Sequence, residues 1–268
     1  MTENEKLSPP ILNGKAYEAP SEFLPQNLLR EARRQKRLAD NPIPEVCVLD
    51  PDGDIVRHLR RADATRVSHT WACYHTELYE FDLAGRRLGI IGCAVGAPFA
   101  VLVAEQLFAS GCRLLLSITS AGQIAPVAAP PYFVVIERAL RDEGTSYHYA
   151  APAEFAHADR ALVDQAMEAI SAQGLRVHRG ASWTTDAPFR ETAAAIAAAR
   201  ARGILAVEME AAALYTFAAV RQRPVLCLAH VTNTMGLADG DFEKGDADGS
   251  TAALRVIAAL ARAVVGTE

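Results

Sequence analysis

The chain has 268 residues, half of them apolar, with 22% charged side chains and a formal net charge of -5. That is enough apolar residue to bury one large core in a single domain, and the Lys and Arg side chains form no basic, aromatic-interleaved stripe of the kind nucleic acid requires. Five cysteines (Cys47, Cys73, Cys93, Cys112 and Cys227) without a CxxC spacing, a polar N-terminus and no apolar run near the roughly 20 residues that span a bilayer point to a reduced, cytoplasmic setting and to no membrane.

Residues 1 to about 22 carry Pro9, Pro10, Gly14 and Pro20 among polar residues and read as an irregular arm. Pro25 then opens QNLLREARRQKRLAD, where Leu28, Leu29 and Ala32 beside a run of Arg and Lys fit a short, basic surface helix. Arm and helix, residues 1–44, are expected to precede the main domain, 45–268. From Val46 onward short aliphatic runs alternate with longer amphipathic segments, the pattern of a sheet covered by helices. Strands are predicted at VCVL (46–49), LGIIGC (88–93), RLLLSIT (113–119), YFVVIE (132–137), VHRGAS (177–182), ILAV (204–207) and VLCLAH (225–230). Helices are predicted over 97–110, 156–173, 190–202, 208–221 and 248–265. Several strands are continuous apolar runs, which requires burial on both faces, so the expected fold is a single α/β domain with a mixed, largely parallel central sheet flanked by helices.

In open α/β sheets ligands bind beyond the carboxyl ends of the strands. Five segments there are unusual: GCAVGAP (92–98), TSAGQ (119–123), TTDAPFRE (184–191), VEME (207–210) and HVTNTMG (230–236). GCAVGAP ends a strand and opens a helix, where small residues let backbone N–H groups reach an anion. TSAGQ repeats the design with a hydroxyl at Ser120 and a close approach at Gly122. VEME sets two carboxylates against the apolar helix AAALYTFAAV. A dipole or capping role accounts for one of them, worth about 0.3–1 kcal/mol, but not readily for both. A carboxylate has acceptor sites on both oxygens and can grip two neighbouring sugar hydroxyls at once.

VEMEAAALY (207–215), with ITSAG and GCAVGAP upstream, resembles the ribose-binding segment and glycine-rich loops of the nucleoside phosphorylase superfamily, which includes uridine phosphorylase, hexameric purine nucleoside phosphorylase and methylthioadenosine nucleosidase. The resemblance runs over roughly residues 45–265. It implies that Glu210 binds the ribose hydroxyls, Met209 packs on the sugar with Glu208 beside it, and Ala121 and Gly122 lie near sugar and base. It further implies that Gly96 and Ser120 cradle phosphate, and that Phe189 and Arg190 stack on and read the base. Asn233 stands where purine-specific members carry an Asp. An amide donates a hydrogen bond but no proton, which favours a pyrimidine or other oxo-base.

The chain departs from the family at its phosphate arginines. Ser117 stands where an Arg usually precedes ITSAG, and the first turn reads VLDPDGDIVRHLRR. Arg57, foremost among Arg57, Arg60 and Arg61, is the candidate substitute, since guanidinium geometry matters more than chain position. Asp50, Asp52 and Asp54 lie where a nucleosidase would hold its water-activating carboxylate, although Asp-Pro-Asp-Gly is also an ordinary turn composition. The base among them stays unassigned.

The implied reaction is N-glycosidic cleavage of a nucleoside through an oxocarbenium-like state, with phosphorolysis to free base and pentose 1-phosphate as the leading form. Glu210, Asn233 and Arg190 are its catalytic residues; inorganic phosphate is a co-substrate and no cofactor is implied. Hydrolysis, or a sensor that binds nucleoside without turnover, are the alternatives. A Rossmann-type dehydrogenase is disfavoured because DPDGD replaces a GxGxxG after the first strand. His69, His75, His148 and His230 lack metal-ligand spacing, so no metal site is implied. The resemblance also implies a homo-oligomer, dimer or hexamer.

Overall fold

A computed structural model of the chain describes residues 9–235, 239 and 241–263. The strands are β1 (Val46–Asp50), β2 (Arg66–Val67), β3 (Tyr79–Leu83), β4 (Arg86–Gly92), β5 (Leu114–Gln123), β6 (Tyr132–Asp142), β7 (Phe155–His157), β8 (Val177–Thr185), β9 (Ile204–Glu208) and β10 (Val225–Asn233). The helices are α1 (Pro25–Lys36), α2 (Asp54–Arg61), α3 (Ala97–Ala109), α4 (Arg160–Ser171), α5 (Ala193–Ala201), α6 (Ala211–Arg221) and α7 (Ser250–Ala263).

Side chains alternate across a strand, so a run that is apolar at every position must be buried on both faces. Cys47 and Leu49 of β1, Leu115 of β5, Val134 and Ile136 of β6, and Cys227 and Ala229 of β10 pack with residues of α3 and α6. Their neighbours Val46, Val48, Leu114, Leu116, Val135, Leu226 and Leu228 pack on the other face with residues of α2, α4 and α7. Each fully buried aliphatic side chain contributes about 1.5–3 kcal/mol, so the two cores hold the α/β layers together. The chain is thus an α/β fold with a mixed sheet flanked by helices. Helix α1 docks Leu29 and Ala32 in a small cluster with Ala72, and Ala109 of α3 packs against it.

The sheet closes on itself at one end. Strand β5 is ten residues long and pairs in parallel with β10 along one edge. Its other edge is shared: β1 pairs with Leu114–Ser117 and β9 runs antiparallel to Gly122–Gln123. β10 continues to β6, β6 to β8 and β8 to β9, which returns to β5. β4, β3 and β2 extend from β1 as an open wing. This closure brings the ends of β1, β4, β5, β9 and β10 together around one cavity.

The predicted strands are all present, but several are longer at their carboxyl ends than apolar content alone indicates. Thr119–Gln123 belongs to β5, Thr184–Thr185 to β8 and Asn233 to β10, so three of the five expected turns are strand ends. Backbone pairing is indifferent to side-chain polarity, and the closed ring supplies a ladder partner at those positions. The predicted helix over 156–173 is a short strand, β7, followed by α4, and that over 190–202 begins at Ala193 behind a 3-10 turn at Pro188–Arg190. α2, β2 and β3 were not predicted. DIVRHLRR buries Ile55, Val56 and Leu59 in only eight residues, too short a run for a secure period. Gly236 of the fifth motif and residues 264–265 of the predicted last helix lie outside the described residues. Among the described residues no helix is long and apolar enough to cross a membrane.

Candidate active site

The two acidic residues of VEME do different jobs. Glu208 ends β9 with both carboxylate oxygens engaged. Oε2 accepts from the backbone N–H groups of Glu210 and Ala211, each at 2.7 Å. Oε1 accepts from the Ser182 hydroxyl at 2.9 Å and from the Thr184 hydroxyl. Those backbone donors belong to the first turn of α6, so Glu208 is the cap of that helix. Burial pushes its pKa up, and the four donors offset part of that rise. The expectation that Glu208 touches substrate gives way to a positioning role, because its acceptor sites are already filled by the protein.

Glu210 stands at the N-terminus of α6, only 1% exposed, and its Oε1 accepts from the Gly96 backbone N–H at 2.7 Å. Its Oε2 is buried and has no hydrogen-bond partner among the described residues. A buried carboxyl oxygen left unpaired in so apolar a setting is costly unless something arrives to bind it. Burial first, then the nearby charge of Glu208, raise the Glu210 pKa to about 8, against the lowering influence of the Gly96 N–H. The Gly96 amide, expected to face phosphate, is therefore the anchor of Glu210. Gly96 has φ +88°, a conformation that an L side chain resists, and it places that N–H at the start of α3.

The DPDGD turn distributes its three carboxylates in three directions. Asp50, 2% exposed, accepts from Gly53 N–H at 3.1 Å and Val56 N–H at 2.9 Å, capping α2 from the end of β1. Burial raises its pKa to about 7. Asp54 pairs with Arg57 and with Lys244. Asp52 reaches across to β5, where its Oδ2 accepts from the Ser120 N–H at 2.7 Å and its Oδ1 from the Ser120 hydroxyl at 2.8 Å. Gly53 makes this possible: its φ is +74°, and a Cβ there would lie 2.6 Å from Cys93 Sγ.

These residues border a cavity of about 340 Å3. It brings together Asp52, Ser120, Ala121, Gly122, Glu208, Met209, Glu210, Asn233 and Phe189. Asn233 is held by its own amide: Oδ1 accepts from Met235 N–H at 2.9 Å, while Nδ2 points to Thr232 Oγ1 at 3.3 Å and Ala121 carbonyl at 3.5 Å. A Cβ on Gly122 would lie 2.4 Å from Met235 Sδ, so only glycine lets this wall close. A larger cleft of about 630 Å3 lies beside α4 and the end of α6, without such convergent carboxylates.

Three expectations are corrected by this geometry. Arg57 is not at the cavity: it is turned to Asp54 and to the Asp52 carbonyl, 2.8 Å away. Both donors of Ser120 are occupied by Asp52 rather than left open for phosphate. Arg190 is exposed and does not line the cavity, because the 3-10 turn at Pro188–Arg190 carries it outward. Phe189 lines the cavity but is fully exposed, with no ring or cation stacked on it among the described residues. Sequence reasoning did not single out Glu191 or Met235, which also line it, and left Asp52 undecided among three aspartates.

A family model described as the Phosphorylase superfamily matches residues 45–265. The chain belongs to that superfamily. Its curated relatives include the DeoD-type purine nucleoside phosphorylases of Roseobacter denitrificans, 31% identical over 56% of this chain, and of Myxococcus xanthus, 30% identical over 50%. The uridine phosphorylase of Thermococcus kodakarensis is 27% identical over 61% of this chain. The chain spans 64%, 57% and 64% of the lengths of these three relatives, in that order. Among solved structures, uridine phosphorylase from Vibrio fischeri superposes with a TM-score of 0.70 at 21% identity, covering 86% of this chain and 96% of that one. At that identity the likeness speaks for the superfamily fold.

Proposed function

We propose that this chain cleaves the N-glycosidic bond of a nucleoside, with water as the acceptor. The observation that carries the choice of water is the Asp52 carboxylate seated on both donors of Ser120. A phosphate anion entering that cradle has to displace a fixed negative charge, and two cations close to Asp52, Arg57 and Lys244, are already paired with Asp54. Water held there instead gives up a proton to Asp52 as its oxygen bonds to C1′. The C1′–N bond breaks, its electron pair leaves with the base, and a proton from solvent completes the free base. Glu210, through its unpartnered oxygen, binds the ribose hydroxyls, and as its carboxyl ionises near pH 8 it also sets negative charge beside the oxocarbenium-like sugar. Asn233 donates a hydrogen bond to the departing base.

Phosphorolysis is the second reading. Its support is the naming of the relatives as nucleoside phosphorylases, together with two cations, Arg57 and Lys244, one side chain away from the cradle. The fully exposed Phe189 and the exposed Phe242 at the cavity support a homo-oligomer in which a second copy covers them. The five cysteines are unpaired, in keeping with a reduced compartment.

The test is release of free base from uridine, thymidine, inosine, adenosine and methylthioadenosine, with and without phosphate. Release from at least one nucleoside that does not depend on phosphate is expected, and Glu210→Ala lowers it by at least ~100-fold while the fold survives. Release that requires phosphate selects the second reading. Near-normal turnover by Glu210→Ala rejects the ribose assignment.

A further inference from the structure

His230 of β10 is only 6% exposed, and among the described residues its imidazole has no hydrogen-bond partner. One face of the ring stacks on Phe133, with 4.4 Å between centroids. Its edge meets Gly249, where a Cβ would lie 2.5 Å from Cε1 and 2.9 Å from Nδ1. Gly249 has φ +81° and immediately precedes α7, so glycine lets the start of that helix close on the ring. Burial, and after it the charge of Lys244, push the imidazole pKa down to about 4, so at neutral pH one ring nitrogen is a donor and the other an acceptor. Polar atoms buried to this degree are costly unless something binds them.

The ring lines a cavity of about 310 Å3 that shares no residue with the cavity of Glu210. Thr251 and Ala252, in the first turn of α7, border it. Ala253 N–H bonds back to the Gly249 carbonyl at 3.0 Å, whereas the N–H groups of Thr251 and Ala252 and the Thr251 hydroxyl have no partner among the described residues. Arg255, one turn along the same face of α7, and Arg176, just before β8, also border the cavity. Among the described residues each guanidinium meets a backbone carbonyl, Gln173 at 2.9 Å and Ala129 at 3.5 Å, and neither is paired with a carboxylate. Lys244 on this wall is paired with Asp54, and Asp246 is the one carboxylate of the lining.

Two amides at a helix N-terminus, a hydroxyl, an imidazole N–H and two guanidinium groups offer more donors than the two oxygens of a carboxylate accept. They suit the three terminal oxygens of a phosphoryl group, which the helix dipole and arginine both favour. The cavity is at the lower end of the about 300–1,000 Å3 of small-molecule sites, and Leu175 and Tyr132 give it an apolar wall for the group that carries the phosphate. We propose that this cavity is a second, anion-binding site, which takes the phosphoryl group of a small phosphate monoester at the N-terminus of α7. It does not depend on the reaction assigned to the cavity of Glu210.

The experiment is calorimetric titration of the full chain with glycerol 3-phosphate, inorganic phosphate and glycerol. The proteins are the wild type, the double variant Arg176→Ala/Arg255→Ala, whose exposed side chains leave folding intact, and Ser120→Ala as the control for the other cavity. Glycerol 3-phosphate is expected to bind the wild type, inorganic phosphate to bind more weakly because it leaves the apolar wall uncovered, and glycerol not to bind. The double variant should weaken glycerol 3-phosphate by ~10-fold or more, and Ser120→Ala should leave its affinity unchanged. Inorganic phosphate binding as tightly as the ester, with the same loss in the double variant, keeps the phosphoryl site and names free phosphate as its occupant. No binding of either phosphate compound by the wild type overturns the proposal, as does an affinity that survives in the double variant. Loss in Ser120→Ala alone moves the anion to the other cavity and overturns it too.

Discussion

The carboxylate of Asp52 accepts hydrogen bonds from both donors of Ser120, the amide at 2.7 Å and the hydroxyl at 2.8 Å. The protein's own anion thus fills the two-donor cradle that the glycine-rich strand end would otherwise offer to a phosphate. Two like charges about 4 Å apart near a protein surface repel by roughly 4 kcal/mol, which counts against a phosphate in that cradle.

Removing the Asp52 charge is expected to do two things. Asp52→Asn should lower phosphate-independent base release by ~100-fold or more, the range of a lost general base. Asp52→Ala should free both Ser120 donors, so that calorimetry detects inorganic phosphate binding weak or absent in the wild type. Unchanged release in Asp52→Asn would show that this carboxylate does not activate water.

Glu208 holds the first turn of α6, and its loss should register in stability before chemistry. Glu208→Ala leaves the Glu210 and Ala211 N–H groups without their acceptor, at about 1–3 kcal/mol each, and a clear fall in Tm is expected. Glu208→Gln keeps much of the shape but removes the charge that helps to raise Glu210. The pH midpoint assigned to Glu210 should then drop below about 8. A midpoint that does not move would separate the two carboxylates electrostatically.

Stability should fall as the solution becomes more alkaline. Asp50 and Glu210 have folded-state pKa values of about 7 and about 8, raised from ordinary values of 3.8 and 4.5. Between those limits the folded chain binds more protons than the unfolded chain, so unfolding free energy decreases with rising pH and levels off above about 8. Denaturant titrations from pH 5 to 9 measure this, and Glu210→Gln should flatten the upper part of the slope. A stability that rises over that range would mean that neither carboxyl is protonated in the folded state.

Gly53 carries the turn that aims Asp52. Gly53→Ala combines a left-handed φ of +74° with a Cβ only 2.6 Å from Cys93 Sγ and 2.8 Å from the Arg57 guanidinium. A loss of about 1–3 kcal/mol is expected, together with reduced base release. Gly174→Ala, at φ +66° with nothing within 4 Å of its Cβ, isolates the backbone contribution and should cost less and leave release unchanged.

Much of the fold was legible because burial on both faces writes itself into a strand as an unbroken apolar run. Val46–Asp50, Val225–Asn233 and the core of Tyr132–Asp142 announce themselves this way. The closure of β5, β10, β6, β8 and β9 was not legible, since it depends on β9 turning antiparallel against the last two pairs of β5, and register carries no composition signal. The VEME motif pointed to the cavity it borders, but which Glu caps α6 and which is left with an unpartnered oxygen depends on Ser182 and Thr184, more than twenty residues upstream. Asp52 was indistinguishable from Asp50 and Asp54 in a turn-forming sequence; only the distance to Ser120 separates them. Arg190 looked like a base-reading group because it follows an aromatic, and the 3-10 turn that sends it outward is too short to be read from periodicity.

The most direct test of the account is phosphorus NMR of the reaction mixture with the best nucleoside in saturating inorganic phosphate. Hydrolysis yields free base and free pentose in equal amounts, with the phosphate signal unchanged. A growing pentose 1-phosphate signal matched to base release would contradict it and show that phosphate displaces Asp52 from Ser120.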